Sequence, residues 1–352
     1  MSPFTKLRDP ASYVACEWDL SADLEGRTYW VEFFKRHLAT FLTLGKAAGV
    51  ARGCEVGDCE QRALECVREF EAHFDSFHAR PREFGRVSII ELGAWRNEFL
   101  WKHGFEDCFI DLKDRENASA LPLLPKICRE IDSLEHDPAA QLRAVIEGVF
   151  AGNIFDMGAE ATAKQFLHGG PDFFATRAKL PRRPWLIDSY DPLAERWLGS
   201  QRFPRHVVFF IDNAGADFLL GVVPMIRYLA HRGARVTMAA NEKPTLNDMT
   251  VHDVKRWWPR VLEMEPSLVG LPIDLVSTGT GEPLIDLSRV SDELNRAAED
   301  ADLVILEGMG RGVESNLDAA FSCDALNLAM LKDLAVASRI GGGLYDVICR
   351  FR

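Results

Sequence analysis

Residues 207–211 read Val-Val-Phe-Phe-Ile, an unbroken apolar run that is followed directly by Asp212 and Asn213. A short apolar run without alternation is typical of a strand that is buried on both faces of a parallel sheet. Ligands of such sheets bind beyond the carboxyl ends of the strands, which is where the two polar residues fall. A carboxylate beside an amide oxygen suits Mg²⁺ or Mn²⁺. The alternative is that Asp212 caps the next helix and Asn213 lies in a turn.

A second apolar run at residues 235–240 predicts the next strand, and Asp248 lies in the polar loop after it. Because consecutive strands of a βαβ unit lie adjacent or nearly so, we expect Asp248 to reach the same crevice as Asp212 and Asn213. Two carboxylates and one amide oxygen would form a three-ligand metal site with open positions for water and substrate. Asp248 could instead be the N-cap of a helix that starts near Thr250.

Short apolar runs and helical patterns keep alternating through the C-terminal half of the chain. Further strands are predicted at residues 184–190, 271–276, 302–306 and 344–351, and helices at 217–231, 251–264 and 287–300. This order predicts a Rossmann-like three-layer α/β/α domain with a mostly parallel sheet over residues 151–352. For residues 325–332, periodicity leaves two alternatives open, a strand that delivers Lys332 or a helix.

Residues 1–150 carry helical patterns, with helices predicted at 28–42, 60–77, 89–102, 121–134 and 137–150. An all-helical region before a βαβ region predicts an N-terminal cap domain over the carboxyl edge of the sheet. The charged segment 111–117 is interpreted as a solvated turn and helix start.

The composition is that of a globular protein and excludes several classes of partner. A formal charge of −12 over 352 residues argues against a nucleic-acid partner, because binding to phosphate backbones relies on clustered Lys and Arg. The N terminus lacks a signal-peptide pattern, and no apolar run approaches the ~20 residues of a membrane span. We therefore expect a cytoplasmic protein without a membrane partner. The oligomeric state stays open, with a homodimer among the alternatives.

Eight cysteines are scattered along the chain, and only Cys54 and Cys59 lie close together. No second close pair completes a zinc site, so all eight are expected to be reduced structural thiols. Cys323 is expected to lie near the predicted site.

Two glycine-containing segments carry further candidate ligands. Gly152-Asn-Ile-Phe-Asp-Met-Gly158 is interpreted as a hinge, in which Asn153 and Asp156 either approach a ligand or form a plain Asx-turn. Glu307-Gly-Met-Gly-Arg311 combines close backbone approach with a guanidinium that matches the geometry of a phosphate. From the residues alone, this second segment could equally be a loop that only looks like a nucleotide-binding one.

Four motifs together resemble the metal-dependent damage-control phosphatases, formerly domain of unknown function 89. They are Asp212-Asn-Ala-Gly-Ala-Asp217, Asp248 after the next strand, Gly152-Asn-Ile-Phe-Asp156, and Glu307-Gly-Met-Gly-Arg311 followed by Lys332. The last motif is similar to that of the subfamily that includes the phosphatase domain of pantothenate kinase 4 and its stand-alone plant relatives. The resemblance covers nearly the whole chain.

The resemblance implies a role for each motif residue. A divalent metal ion, Mn²⁺, Ni²⁺, Co²⁺ or Mg²⁺, would be held by Asp212, Asn213 and Asp248. Asp217 would be a further catalytic residue that contacts substrate or orients water. The substrate and its phosphate would be bound by Asn153, Asp156, Glu307, Gly308, Arg311 and Lys332.

The implied reaction is hydrolysis of a small-molecule phosphomonoester, 4′-phosphopantetheine and above all its oxidised or otherwise damaged forms. An alternative within the same family is a sugar-phosphate phosphatase. Alternatives of other classes are a methyltransferase that uses S-adenosylmethionine and a non-catalytic binding protein. The methyltransferase would need a glycine-rich loop after the first strand, and the sequence has none there.

Overall fold

The computed structural model describes residues 1–154, 173–199 and 202–352. Its strands are β1 (Ile187–Asp188), β2 (His206–Phe210), β3 (Arg235–Ala240), β4 (Ile273–Ser277), β5 (Leu303–Glu307), β6 (Asp324–Met330) and β7 (Val347–Phe351). The helices before the sheet are α1 (Leu24–Ala51), α2 (Val56–Ala79), α3 (Ile89–Lys102), α4 (Ile110–Ala120), α5 (Leu124–Asp132) and α6 (Pro138–Asn153). Those that follow are α7 (Phe173–Ala178), α8 (Tyr190–Ala194), α9 (Val223–His231), α10 (Val251–Met264), α11 (Asp292–Ala297) and α12 (Leu334–Arg339).

The strands form one sheet in the order β1-β7-β6-β5-β2-β3-β4. The pairs β2/β3, β2/β5, β3/β4 and β5/β6 are parallel, and only the β6/β7 pair is antiparallel among the strands that the structure describes. The prediction of a mostly parallel sheet in an α/β fold is thus confirmed. The open alternative at residues 325–332 is settled in favour of a strand, because β6 covers most of this segment.

Strand β2 lies inside the sheet between β5 and β3 and is buried throughout, as its apolar run predicts. Val207 and Phe209 pack in one hydrophobic core, whereas Val208 and Phe210 pack in a second core on the other face. Since successive side chains of a strand point to opposite faces, this division shows that both faces of the sheet are covered. Phe4 belongs to the second core and meets the Phe210 ring at 5.5 Å.

Helices α1, α2 and α3 form a helical layer with an aromatic interior, as expected for the N-terminal region. Phe70 stacks on Phe74 at 4.1 Å, and Trp95 of α3 meets Phe74 at 5.9 Å. The same core includes Leu331 and Val336, which follow β6, so this layer packs against the carboxyl edge of the sheet. Helices α5 and α6 instead share a core with the sheet. The domain boundary at residue 150, between the cap domain and the α/β domain, stays a prediction.

The structure differs from two predictions, the hinge at residues 152–158 and the helix at residues 287–300. Gly152 and Asn153 lie within α6 rather than in a hinge, and Asp156 lies outside the described residues. The helix predicted at 287–300 is shortened to α11, because Val290 pairs with Ser2 in a β-bridge. The Ser291 side chain then caps the helix by accepting a hydrogen bond from Leu294 N (2.9 Å).

The cysteine predictions need two corrections. Cys54 and Cys59 form a disulfide, because the turn between α1 and α2 brings their Cα atoms to 6.6 Å, so the expectation of reduced thiols is wrong for this pair. Cys323 precedes β6 and therefore lies at the amino end of the parallel strands, at the edge opposite Lys332. The expectation that it lies near the site is also wrong, and burial raises its pKa to about 11.

Within the described ranges, every helix is either too short or too polar to cross a lipid bilayer.

Candidate functional site

The carboxyl ends of four adjacent strands, β3, β2, β5 and β6, bring most of the predicted site residues to one edge of the sheet. Asp212 and Asn213 follow β2, Glu307 ends β5, Asp248 lies in the loop after β3, and Lys332 follows β6. All five side chains are buried. The loops after β2 and β3 are joined by a β-bridge between Asn213 and Asp248, which is why residues 35 positions apart in sequence meet here.

Three buried carboxyl groups lie together at the centre of this edge. They belong to Asp212, to Glu307, and to Asp217 in a π-helical turn (Asp217–Val222). One oxygen of each lies within 4.8 Å of the others. The Asp212 backbone N–H donates to Glu307 Oε2 at 3.0 Å, which ties the end of β5 to the start of the β2 loop.

Two amide side chains hold these carboxyl groups in place. Asn153 Nδ2 donates to Glu307 Oε1 (2.8 Å) and Asp217 Oδ2 (3.1 Å). Asn213 Nδ2 donates to Asp212 Oδ2 (3.0 Å) and to Asp217 Oδ2 (3.0 Å). Asn153 from α6 and Asn213 from the β2 loop therefore reach the cluster from different elements.

The donor set fits a divalent cation. Like charges at this separation repel one another, and burial is the largest cause that raises the pKa of Asp217. Asp217 Oδ1 has no hydrogen-bond partner among the residues that the structure describes, although it is buried. A buried oxygen without a partner beside two further carboxyl groups is the chemistry that hard divalent ions prefer. The predicted ligand set of Asp212, Asn213 and Asp248 and the set of three carboxyl groups have Asp212 in common.

Arg311 lies between two of the predicted metal ligands. Its Nη2 donates to Asp248 Oδ2 at 2.7 Å, and its Nη1 is paired with Asp212. Asp248 Oδ2 also accepts a hydrogen bond from Asn241 Nδ2 (3.2 Å). The predicted phosphate ligand Arg311 thus joins the β5 loop to the loops after β2 and β3.

Asp248 does not cap the following helix. Thr250 is the N-cap of α10, where its side chain and that of Asp253 form a capping box. The structure thereby excludes the N-cap alternative for Asp248 and leaves its carboxylate to face the site.

Lys332 is held by the end of α6. Its Nζ donates to the Asn153 carbonyl oxygen at 2.7 Å, and its positive charge lowers the pKa of Asp217, against the larger effect of burial. Met330 N donates in turn to Asn153 Oδ1 at 3.2 Å. Asn153 is therefore bonded to β6 as well as to the carboxyl cluster.

Gly308 lets the backbone pass close to Asp212. Its φ is +94°, and a Cβ at this position would overlap Asp212 Oδ2. Glycine is required here by both conformation and space.

Helix α4 contributes two buried polar residues that the sequence interpretation missed. Lys113 is paired with Asp107 (2.9 Å) and Asp253 (2.7 Å), and Asn117 Oδ1 accepts from Gly215 N (2.7 Å). The interpretation of segment 111–117 as solvated is therefore wrong for these two residues, whereas Asp111 and Arg115 are exposed and a helix does begin here. Residues four apart share one helix face, which was the only available signal.

A cavity of about 80 Å³ lies over Asp212, Asn213 and Asp248. Its wall also includes Trp30 and Phe34 of α1 and Arg96 of α3. The helical layer thus covers the carboxyl edge, as the sequence predicts for a cap.

Residues 61–348 match the family described as the damage-control phosphatase ARMT1-like domain. The chain belongs to this family. The resemblance seen in the motifs, and with it the prediction of a phosphatase, is confirmed.

Two relatives of this damage-control phosphatase domain are informative. A damage-control phosphatase of Arabidopsis thaliana is 36% identical over 326 residues, which are 92% of this chain and 87% of the relative. The 4′-phosphopantetheine phosphatase of Mus musculus is 31% identical over 402 residues, which are 98% of this chain and 48% of the mouse protein. The chain thus spans about half the length of the mouse relative.

A solved structure of a DUF89 family protein from Pyrococcus horikoshii has the same fold. It matches with a TM-score of 0.60 and 18% identity, over 91% of this chain and 96% of that one. At this identity the likeness concerns the fold alone.

Proposed function

We propose that the chain is a metal-dependent phosphomonoesterase that acts on 4′-phosphopantetheine and its oxidised or otherwise damaged forms. The observation that carries the proposal is the buried cluster of Asp212, Asp217 and Glu307, next to a cavity that Asp212 lines, in a member of this family. The substrate is proposed from the mouse relative named 4′-phosphopantetheine phosphatase, whose alignment covers 98% of this chain.

The residues in and around the cluster have distinct tasks in this reaction. A divalent ion bound by Asp212, Asn213 and Asp248 would polarise a phosphoryl oxygen and activate water. Asn153 and Asn213 orient the carboxyl oxygens through the four hydrogen bonds described above. Asp217 Oδ1 would take the proton of the attacking water, since this buried oxygen has no hydrogen-bond partner in the described ranges.

The two basic residues keep the charge of the site balanced. Arg311 holds Asp212 and Asp248 at a fixed separation, and Lys332 offsets the negative charge near Asp217. Their side chains would also offset charge that develops on the phosphoryl oxygens.

The space around the site suits a phosphate ester with an extended chain. The cavity over Asp212 holds about 80 Å³, which is below the ~300–1,000 Å³ usual for small-molecule sites. A second cavity of about 310 Å³ shares Ile89 and Glu314 with its wall. We propose that the phosphate occupies the first cavity and the pantetheine chain extends into the second.

The test is phosphate release from 4′-phosphopantetheine, its sulfonate and a panel of sugar phosphates. Each substrate is assayed with EDTA and after addition of Mg²⁺, Mn²⁺, Co²⁺ or Ni²⁺. Turnover that requires a metal and favours the pantetheine compounds supports the proposal. Turnover of sugar phosphates alone would replace the substrate, and no turnover on any compound would favour a binding protein.

A matched pair of variants tests the site itself. Asp212→Ala is expected to abolish metal-dependent turnover while the fold is retained, since it removes a carboxylate that any metal set here would use. Asp111→Ala, at an exposed carboxylate paired with Arg52 on the surface, is the control and should keep wild-type turnover. Full activity of Asp212→Ala would contradict the assignment.

A further inference from the structure

Arg96 of α3 is a buried cation in the wall of the cavity that Asp212, Asn213 and Asp248 line. Only 4% of its surface is exposed. It comes from the helical layer and not from the sheet, and none of the motifs of the sequence includes it. A buried cation in a cavity wall is a candidate for binding an anionic group in that cavity.

The guanidinium is held from several sides. Its Nε and Nη2 donate to Asn97 Oδ1 (3.3 and 3.1 Å), and Nη2 also donates to Thr245 Oγ1 (3.0 Å). The Phe41 ring lies 4.6 Å from the guanidinium carbon. Asn97 Nδ2 donates to the Gly281 carbonyl oxygen at 2.8 Å, which fixes the acceptor in turn. The side chain is therefore oriented before any ligand arrives, as a binding group should be.

These contacts use Nε and Nη2 of the guanidinium but not Nη1. Nη1 makes no hydrogen bond to any residue in the described ranges, and no carboxylate there forms a salt bridge with Arg96. Burial lowers the pKa of Arg96 to about 10, so it stays protonated at neutral pH. The charge of Asp248 offsets the effect of burial in part, but it lies beyond salt-bridge distance, and a ligand anion would compensate the remaining cost.

The other two basic residues near the site already have protein partners. Arg311 is paired with Asp212 and Asp248, and Lys332 Nζ donates to the Asn153 carbonyl oxygen. Arg96 is therefore better placed than either to offer a new hydrogen bond to a molecule in the cavity.

We propose that Arg96 binds the phosphoryl group of the substrate through Nη1. The proposal rests on the function proposed above and adds a phosphate ligand that the cap supplies. Substrate binding then links the helical layer to the sheet, because the phosphate contacts groups from both. Arginine suits this task, since its planar fork matches phosphate oxygens and stays charged when buried.

The experiment measures the Kd for inorganic phosphate, by calorimetry in buffer with Mg²⁺ or Mn²⁺, and the KM and kcat for the ester. Arg96→Gln is expected to weaken phosphate binding about 30-fold or more and to raise KM, because it removes a buried charge contact. Arg96→Lys keeps the charge but not the fork, and should lie between Arg96→Gln and the wild type.

Arg27→Lys is the matched control. Arg27 is also a buried arginine of the helical layer, and its Nε has no partner in the described ranges, but its Nη1 donates to the Leu20 and Ser21 carbonyl oxygens and it does not line the cavity. This variant should bind phosphate with the wild-type Kd. If the Arg96 variants are folded and also retain the wild-type Kd and KM, the proposal is wrong.

Three further outcomes keep the test decisive. If neither Arg96 variant folds, wild-type crystals soaked with tungstate carry the test, and density beyond hydrogen-bond distance of Arg96 would overturn the proposal. If the wild type binds phosphate through Arg96 but hydrolyses no ester, the Arg96 proposal stands and the proposed function fails. If the wild type hydrolyses esters and substitution of Arg96 changes neither Kd nor KM, the proposed function stands and the Arg96 proposal fails.

Discussion

Replacing Lys113 with methionine tests whether α4 holds the site together by a buried charge. The Lys113 side chain is fully buried, and its Nζ lies 2.7 Å from Asp253 and 2.9 Å from Asp107. Burial alone would raise the pKa of Asp253, but the charge of Lys113 and the hydrogen bonds from Thr250 lower it. Without Lys113, Asp107 would be buried without a cation, and Asp253 would keep only the partly exposed Arg256 at 3.3 Å.

The expected loss follows from this burial. Removing one partner of a buried ion pair typically costs about 3–5 kcal/mol, because it leaves an uncompensated charge. Lys102→Met removes the same group from a surface pair with Glu69 (2.6 Å), where the side chains are 62% and 32% exposed. Exposed pairs contribute only about 0–1 kcal/mol, so this variant is the control. The two losses should therefore differ by several kcal/mol.

Urea unfolding of both variants measures the free energies of unfolding. A triple variant, Lys113→Met with Asp107→Asn and Asp253→Asn, should be more stable than Lys113→Met alone, because no charge is left unpaired. Turnover should fall in Lys113→Met as well, since Asp253 caps the helix that follows Asp248. The reasoning is refuted if Lys113→Met and Lys102→Met lose the same stability within about 1 kcal/mol.

Two more predictions concern the backbone at Gly308 and the stability at mildly acidic pH. Gly308→Ala should lower kcat about 100-fold, because its Cβ displaces the Asp212 carboxylate. The control Gly341→Ala has a φ of +76° but open space around its Cβ, so it should lose only about 1–2 kcal/mol of stability and keep its kcat. Burial lowers the pKa of His206, whose Nε2 lies 2.9 Å from Thr237 Oγ1, so below pH 6.5 the unfolded chain binds more protons than the folded one. The folded state is therefore destabilised as pH falls from 7 to 5, and the difference in Tm between the wild type and His206→Gln should shrink over this range. A constant difference would contradict this account.

The strands and most of the site follow from the sequence because local patterns encode them. The apolar run 207–211 and the polar residues after it predict both β2 and the edge where Asp212 lies. Arg96, Lys113 and Asn117 escape such reasoning, since a buried polar residue is stabilised by partners that are remote in sequence. Arg96 and Thr245, which are 149 positions apart, become neighbours only after the cap packs on the sheet.

The same limit explains Asp248 and Arg311. From the sequence, Asp248 was either the N-cap of a helix or a metal ligand. The capping box of Thr250 with Asp253 excludes the N-cap. Arg311 carries a charge that suits phosphate, yet its ion pairs with Asp212 and Asp248 depend on how three loops meet. Residue type indicated the chemistry here, and tertiary packing determined the partner.

The pairing of Ser2 with Val290 has a consequence for how the chain reaches its fold. Ser2 and Asp292 are 290 positions apart and are joined by a hydrogen bond, while Phe4 fills the core beside Phe210. Contacts between such distant residues slow folding, because a long loop must close before they can form. During synthesis, the first residues must wait for most of the chain before they find their place. Proteins shortened to residues 61–348, the part that matches the family, would lack this closing segment and the aromatic wall of α1.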